Sequence, residues 1–83
     1  MKHPALLVYD TAELGAHVRR ARQAKGLRQE ELADRIGVTR MTVSRLERGE
    51  PVSVDTVLHA LSECGYAIAV APKFTRLAVI DAD

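Results

Sequence analysis

The chain has 83 residues and a net charge of +1; 47% of its residues are hydrophobic and only three are aromatic. That length allows one domain, and a chain so short buries only about 60–65% of its unfolded surface, which leaves its own core marginal. A single cysteine, Cys64, excludes an internal disulfide and suits a reducing cytosol; no apolar run nears the roughly 20 residues of a membrane span and no leader is visible, so a second subunit is the expected supplement to the core.

Residues 1–10 read as an extended segment, with Pro4 and Tyr9-Asp10 interrupting its short apolar stretch. Residues 11–65 form a helical unit. Asp10 is placed to cap the first helix, with Glu13 at the capping-box position and Tyr9 and Leu14 at the staple positions. Leu14, Val18 and Ala21 then recur at i, i+4 and i+7, and Gly26 is a natural stop, so the first helix spans about residues 11–25. The second spans residues 29–36, with Leu32, Ala33 and Ile36 inward, and Gly37 ends it in a conformation that glycine adopts cheaply. Thr39 caps the third, residues 40–48, whose apolar positions are Val43 and Leu46. Gly49 and Pro51 break the chain again. Ser53 caps the fourth, with Val54, Val57, Leu58 and Leu61 as its inward stripe, and Gly65 closes it.

After Gly65 the period changes. In Tyr66-Ala67-Ile68-Ala69-Val70-Ala71 large residues alternate with alanine, the period of a strand. Pro72-Lys73 makes a turn or exit, and Leu77-Ala78-Val79-Ile80 is a candidate second strand. A lone hairpin is marginal in water, and an unpaired edge invites pairing. Residues 66–83 are therefore expected to pair with their counterpart in a second subunit.

The charge is unevenly placed. Between His17 and Arg48 nine basic residues face four acidic ones, +5, whereas the remainder carries three basic and seven acidic residues, −4. A basic middle with acidic flanks describes a molecule with one face for a polyanion. The third helix sharpens this. On a wheel of about 100° per residue starting from Arg40, Ser44, Arg48, Met41 and Arg45 fall near 40°, 80°, 100° and 140°, while Leu46, Thr39 and Val43 fall near 240–300°. Thr42 sits at the edge. Guanidinium groups fork onto guanine O6 and N7 or onto phosphate, and methionine or a threonine methyl touches the thymine methyl. A solvated helix has little reason to place Met41 at the centre of its polar side.

Other chemistry is weaker. His3, His17 and His59 lack zinc spacing, so no metal and no cofactor are expected. Cys64 has no fixed base near it in sequence, and Asp10, Glu13, Asp55 and Glu63 suit caps or solvated positions rather than acid–base work. No glycine-rich phosphate cradle follows a strand. The chain is not expected to be an enzyme.

Residues 29–49, QEELADRIGVTRMTVSRLERG, match the pattern Q-x-E-L-A-x-x-x-G-V-x-x-x-x-[VI]-S-x-x-E-x-G at all ten fixed positions. This stretch resembles the helix-turn-helix of the phage repressor and Cro-like (XRE) family, and the resemblance covers about residues 11–65. It implies a mainly α fold, a four-to-five-helix lambda-repressor-like domain, with the third helix in the major groove and the second across the backbone. By the same resemblance Gln29 contacts phosphate, Arg40, Met41, Thr42 and Arg45 read bases, and Thr39, Ser44 and Arg48 hold phosphate or support the readers. Arg22 and Glu47 match a buried ion pair, which removes Arg22 from the DNA contacts. Arg28 departs from the family's serine or threonine cap, a weaker cap with a potential phosphate contact.

The extended Leu7-Val8-Tyr9, the four helices and the strand after Gly65 are also similar to the HipB-type antitoxins. That likeness implies a homodimer through a C-terminal strand carrying Tyr66, Ile68 and Val70, with Phe74 beside them. It further implies autoregulation at an inverted-repeat operator, a HipA-like serine/threonine kinase toxin as partner, and a cytoplasmic, nucleoid-associated location. Two other readings stay open: a phage-type or housekeeping repressor with no toxin, and a protein-binding helix-turn-helix that no longer reads DNA.

Overall fold

A computed structural model describes residues 2–4, 6–73 and 79–81 of the chain. Its elements follow in the order β1 (Lys2–Pro4), α1 (Thr11–Ala24), α2 (Gln29–Ile36), α3 (Arg40–Glu47), α4 (Val54–Glu63) and β2 (Val79–Asp81). Three helices begin where a short polar side chain can accept a first-turn amide. Asp10 accepts the Glu13 N–H at 2.8 Å, Thr39 that of Thr42 at 3.2 Å, and Ser53 that of Thr56 at 3.1 Å. Gly37 then takes the left-handed conformation, φ 73°, and the Val38 N–H returns to the Ala33 carbonyl at 3.0 Å. A side chain with a Cβ would strain this corner, which sets the angle between α2 and α3.

Val18 of α1, Leu32 of α2 and Val43 of α3 meet at the centre with no exposed surface. Ala21, Ala33, Leu46, Ala60, Leu61 and Cys64 close the core around them, and Leu14, Ile36, Val38, Val52 and Val57 pack at its edge. Burying each large aliphatic side chain contributes roughly 1.5–3 kcal/mol, so α3 is held by its Val43–Leu46 stripe and cannot roll without exposing it.

α4 is rotated from the phase its sequence suggests. Val57 and Leu61 are inward, but Val54 is 71% exposed and Leu58 42%. The inward face carries Thr56, Ala60, Leu61 and Cys64 instead. Small Ala60 and Thr56 let the helix approach α2 and α1 closely. The buried Thr56 hydroxyl is satisfied by the Ser53 hydroxyl at 2.9 Å, so its burial leaves no unpaired group.

The segment after α4 is expected to pair with a second subunit, and a single chain holds no such partner. Residues 66–72 form no strand among the described residues, although their large side chains alternate with alanine. Tyr66 instead rests edge-on against His17 of α1, with ring centroids 4.6 Å apart. Partial burial, aided by nearby Arg20, holds the His17 pKa below its usual value. Among the described residues, β1 and β2 pair antiparallel with Lys2 opposite Asp81 and Pro4 opposite Val79. Phe74 lies outside the described residues.

α1 crosses the end of α3 at two glycines. A Cβ on Gly15 would lie 2.7 Å from the Glu47 carbonyl oxygen and would collide with that of Leu46 as well. A Cβ on Gly49, already at φ +79°, would lie 2.9 Å from the Ala12 backbone. Gly15→Ala is therefore expected to destabilise the fold by about 1–3 kcal/mol despite the better helix propensity of alanine. Thermal melts should show a fall of several degrees; an unchanged or raised midpoint would mean that α1 shifts freely on α3.

Candidate nucleic-acid interface

With Val43 and Leu46 buried, the opposite side of α3 faces solvent. Met41 is 56% exposed, and Arg40 and Arg45 are exposed on the same helix. Neither arginine makes an ion pair among the described residues. Thr39 and Thr42 share a hydrogen bond between their hydroxyls at 3.1 Å, so the threonine at the helix start is oriented by the one at the edge of the face. This surface presents two guanidinium forks free of direct ion pairs among the described residues around an apolar thioether, groups suited to base edges and phosphates.

The other two arginines expected here are differently placed. Arg48 donates through Nε to Glu50 and through Nη1 to the Ser44 hydroxyl, each at 2.5 Å. The hydrogen bond from Arg48 holds the Glu50 carboxyl below the usual carboxylate range. Arg48 and Ser44 thus form one unit, and a phosphate at Arg48 has to share it with a carboxylate. Arg28 precedes α2 with no acceptor to offer. Glu31 completes half of a capping box by accepting the Arg28 N–H at 2.9 Å, and its carboxylate also takes the Arg28 Nε at 3.1 Å. The backbone hydrogen bond leads in lowering the Glu31 pKa.

Behind this surface lies a buried polar cluster. Arg22 of α1 and Glu47 of α3 form a forked pair, Nε to Oε2 at 2.6 Å and Nη2 to Oε1 at 2.9 Å, with side chains 9% and 3% exposed. The hydrogen bond to Glu47 raises the Arg22 pKa, outweighing burial, so the guanidinium stays charged. Its remaining Nη1 donates to the Leu27 carbonyl at 2.8 Å, which ties down the α1–α2 turn. Gln29, expected as a phosphate ligand, donates its side-chain Nε2 to Glu47 Oε1 at 3.0 Å. One carboxylate therefore joins α1, α2 and α3.

Three of these features escaped the sequence reading. The Gln29–Glu47 hydrogen bond spans 18 residues and the Arg22–Leu27 bond depends on the turn, so neither leaves a local signal. Glu50, two residues after Arg48, was the visible hint that Arg48 is neutralised. Tyr66, Ile68 and Val70 lie away from α3 on the exposed segment after α4, 46%, 51% and 96% exposed. Among the described residues no group of three His, Cys, Asp or Glu side chains could hold a metal ion, and no helix is long and apolar enough to cross a membrane.

Residues 18–68 match the family model described as Helix-turn-helix, HTH_3. Over 32 residues the chain is 56% identical to an uncharacterized HTH-type transcriptional regulator of Methanothermobacter thermautotrophicus, covering 39% of this chain and 46% of that protein. The chain thus spans about half the length of that curated relative. Among solved structures, HipB in the HipA-HipB-O2-O3 complex superposes with a TM-score of 0.75 at 23% identity, over 83% of this chain and 99% of that one. At that identity the likeness concerns the fold. ClgR, the clp gene regulator of Corynebacterium glutamicum, superposes with a TM-score of 0.64 at 32% identity, over 77% of this chain and 67% of its own.

Removing one member of the buried pair leaves the other charged and unpartnered. Glu47→Ala is expected to cost about 3–5 kcal/mol in urea unfolding. A loss under about 1 kcal/mol would mean that water reaches Arg22 readily.

Proposed function

The chain belongs to the helix-turn-helix family, and on that premise we propose that it is a sequence-specific DNA-binding transcriptional repressor acting as a dimer on an inverted-repeat operator. α3 lies in the major groove and α2 crosses the backbone. Arg40, Met41, Thr42 and Arg45 read base edges; Arg28, Gln29, Thr39, Ser44 and Arg48 hold phosphates or support the readers. The observation that carries this reading is the pair of arginines, Arg40 and Arg45, in no ion pair among the described residues and beside exposed Met41, on a helix whose opposite side is fixed in the core. Duplex DNA supplies the missing negative charge.

The dimer forms through residues 66–74. Ile68 and Val70 are exposed on a segment whose backbone is in no ladder among the described residues, and the same segment of a second copy supplies a partner. Tyr66 and Phe74 extend this contact. The protein is the antitoxin of a HipB-like operon that represses its own transcription and binds a HipA-like serine/threonine kinase toxin; the fold likeness to HipB, solved in a complex with HipA, supports that role. A second reading, a repressor without a toxin partner, is favoured by the likeness to ClgR, a gene regulator of higher identity.

Two measurements test these readings: the first tests DNA reading, common to both, and the second separates them. Selection from a randomised duplex pool should enrich an inverted repeat; no enrichment would remove the DNA-reading assignment. A pull-down of tagged protein from the native host should recover a kinase-like protein in stoichiometric amount, and DNA without it would leave the plain repressor.

Arg45→Ala should weaken binding to the enriched duplex by roughly 1–3 kcal/mol and relax preference at one base pair; equal weakening on every duplex would make Arg45 a phosphate ligand. Ile68→Asp should give monomers in sedimentation, with operator affinity collapsing alongside. An unchanged sedimentation profile would put the dimer contact elsewhere.

A further inference from the structure

The Glu47 carboxylate has a use beyond pairing with Arg22. We infer that Glu47 is a positioning residue for DNA binding: it holds the Gln29 side-chain amide so that one N–H is engaged inside the protein and the other is presented to a DNA phosphate. This rests on the reading of the chain as a DNA-binding protein.

The geometry is specific. A glutamine amide offers two N–H donors and one acceptor oxygen. With Glu47 Oε1 3.0 Å from Nε2, the nitrogen must face inward, because the amide oxygen turned that way would meet a carboxylate acceptor head-on. The carboxylate cannot swing aside, since Arg22 grips both its oxygens and its side chain is 3% exposed. Gln29 itself is half-buried at the first position of α2. Its second N–H has no protein acceptor among the hydrogen bonds of the described residues. A glutamine at a helix start would otherwise sample several rotamers and lose that freedom on binding; here the ordering is complete before DNA arrives. Because Glu47 belongs to α3, the same bond makes the backbone contact on α2 and the base-reading helix one rigid unit.

The test is a double-mutant cycle on the duplex enriched from the randomised pool. Gln29→Ala is compared in the native protein and in Arg22→Met/Glu47→Met, where an apolar pair of similar volume replaces the charges and the fold is checked by thermal melting. In the native protein Gln29→Ala should weaken binding about tenfold, the loss expected for a hydrogen bond to a charged group. The loss should be equal on unrelated duplexes, and the salt dependence should stay unchanged, because a neutral amide releases no counterion. In the apolar-pair protein the same substitution should cost less than about twofold. Equal losses in both backgrounds would overturn the inference.

The side-chain amide resonances of Gln29 give a second readout that needs no variant. Adding the duplex should move one of the two Nε2 proton signals and leave the other, held by Glu47, in place. Signals averaged like those of an exposed glutamine, or both moving together, would overturn it. Native protein that binds DNA undiminished by Gln29→Ala would sink this inference alone, whereas failure to enrich any duplex would sink the DNA-reading assignment beneath it.

Discussion

A single carboxylate, that of Glu47, fixes the relation among the first three helices. It accepts from Arg22 twice and from Gln29 once, while Arg22 reaches on to the Leu27 carbonyl. Two charges removed from water cost several kcal/mol each, and their attraction returns that only when the geometry is good and the leftover donors are used. Those conditions are met here, because the guanidinium fork matches the carboxylate and its remaining donor finds a backbone carbonyl. The gain lies in orientation more than stability. An apolar contact in the same place would hold the helices together but would tolerate sliding, whereas three directed hydrogen bonds to one carboxylate do not.

That rigidity gives the charge pattern its meaning. The chain is almost neutral overall, yet its arginines fall into distinct classes. Arg22 is buried and paired, Arg28 and Arg48 are exposed but each faced by a nearby carboxylate, and Arg35 pairs with Glu63 across α2 and α4 at 3.2 Å. Arg40 and Arg45 on α3, like Arg19 and Arg20 on α1, form no ion pair among the described residues. The outward side of α3 is thus open to directed contacts in the proposed complex, while exposed Arg19, Arg20 and Lys25, also outside any ion pair among the described residues, add an attraction that salt would screen.

Legibility in the sequence followed the range of the interaction. Asp10, Thr39 and Ser53 act on amides three residues away, so the helix starts were visible, as was the turn at Gly37. The outward side of α3 was visible too, because Val43 and Leu46 leave little choice about which side is buried. α4 was harder. Its sequence holds one stripe of large residues and another of small ones, and the choice of Thr56 and Ala60 over Val54 and Leu58 depends on how closely the neighbouring helices approach. Tyr66 to Ala71 has a strand's alternation, but a ladder also needs a second backbone, which one chain does not provide. Gly15 carried a readable hint, since glycine inside a capped helix costs about 1 kcal/mol and invites a packing explanation. Gln29 and Glu47 carried none, because their bond exists only once α2 and α3 are folded together.

The two glycines where α1 meets the end of α3 also bear on how such a protein could change its target. With the Leu46 and Glu47 carbonyls close against Gly15, and Gly49 close against Ala12, there is no room for even a methyl group between α1 and the end of α3, so α3 has little room to shift toward α1. If the proposed DNA reading holds, divergence toward a new site proceeds by exchanging the outward side chains at positions 40, 41, 42 and 45 more readily than by moving the helix. The scaffold keeps the frame, and variation is confined to a few interchangeable letters.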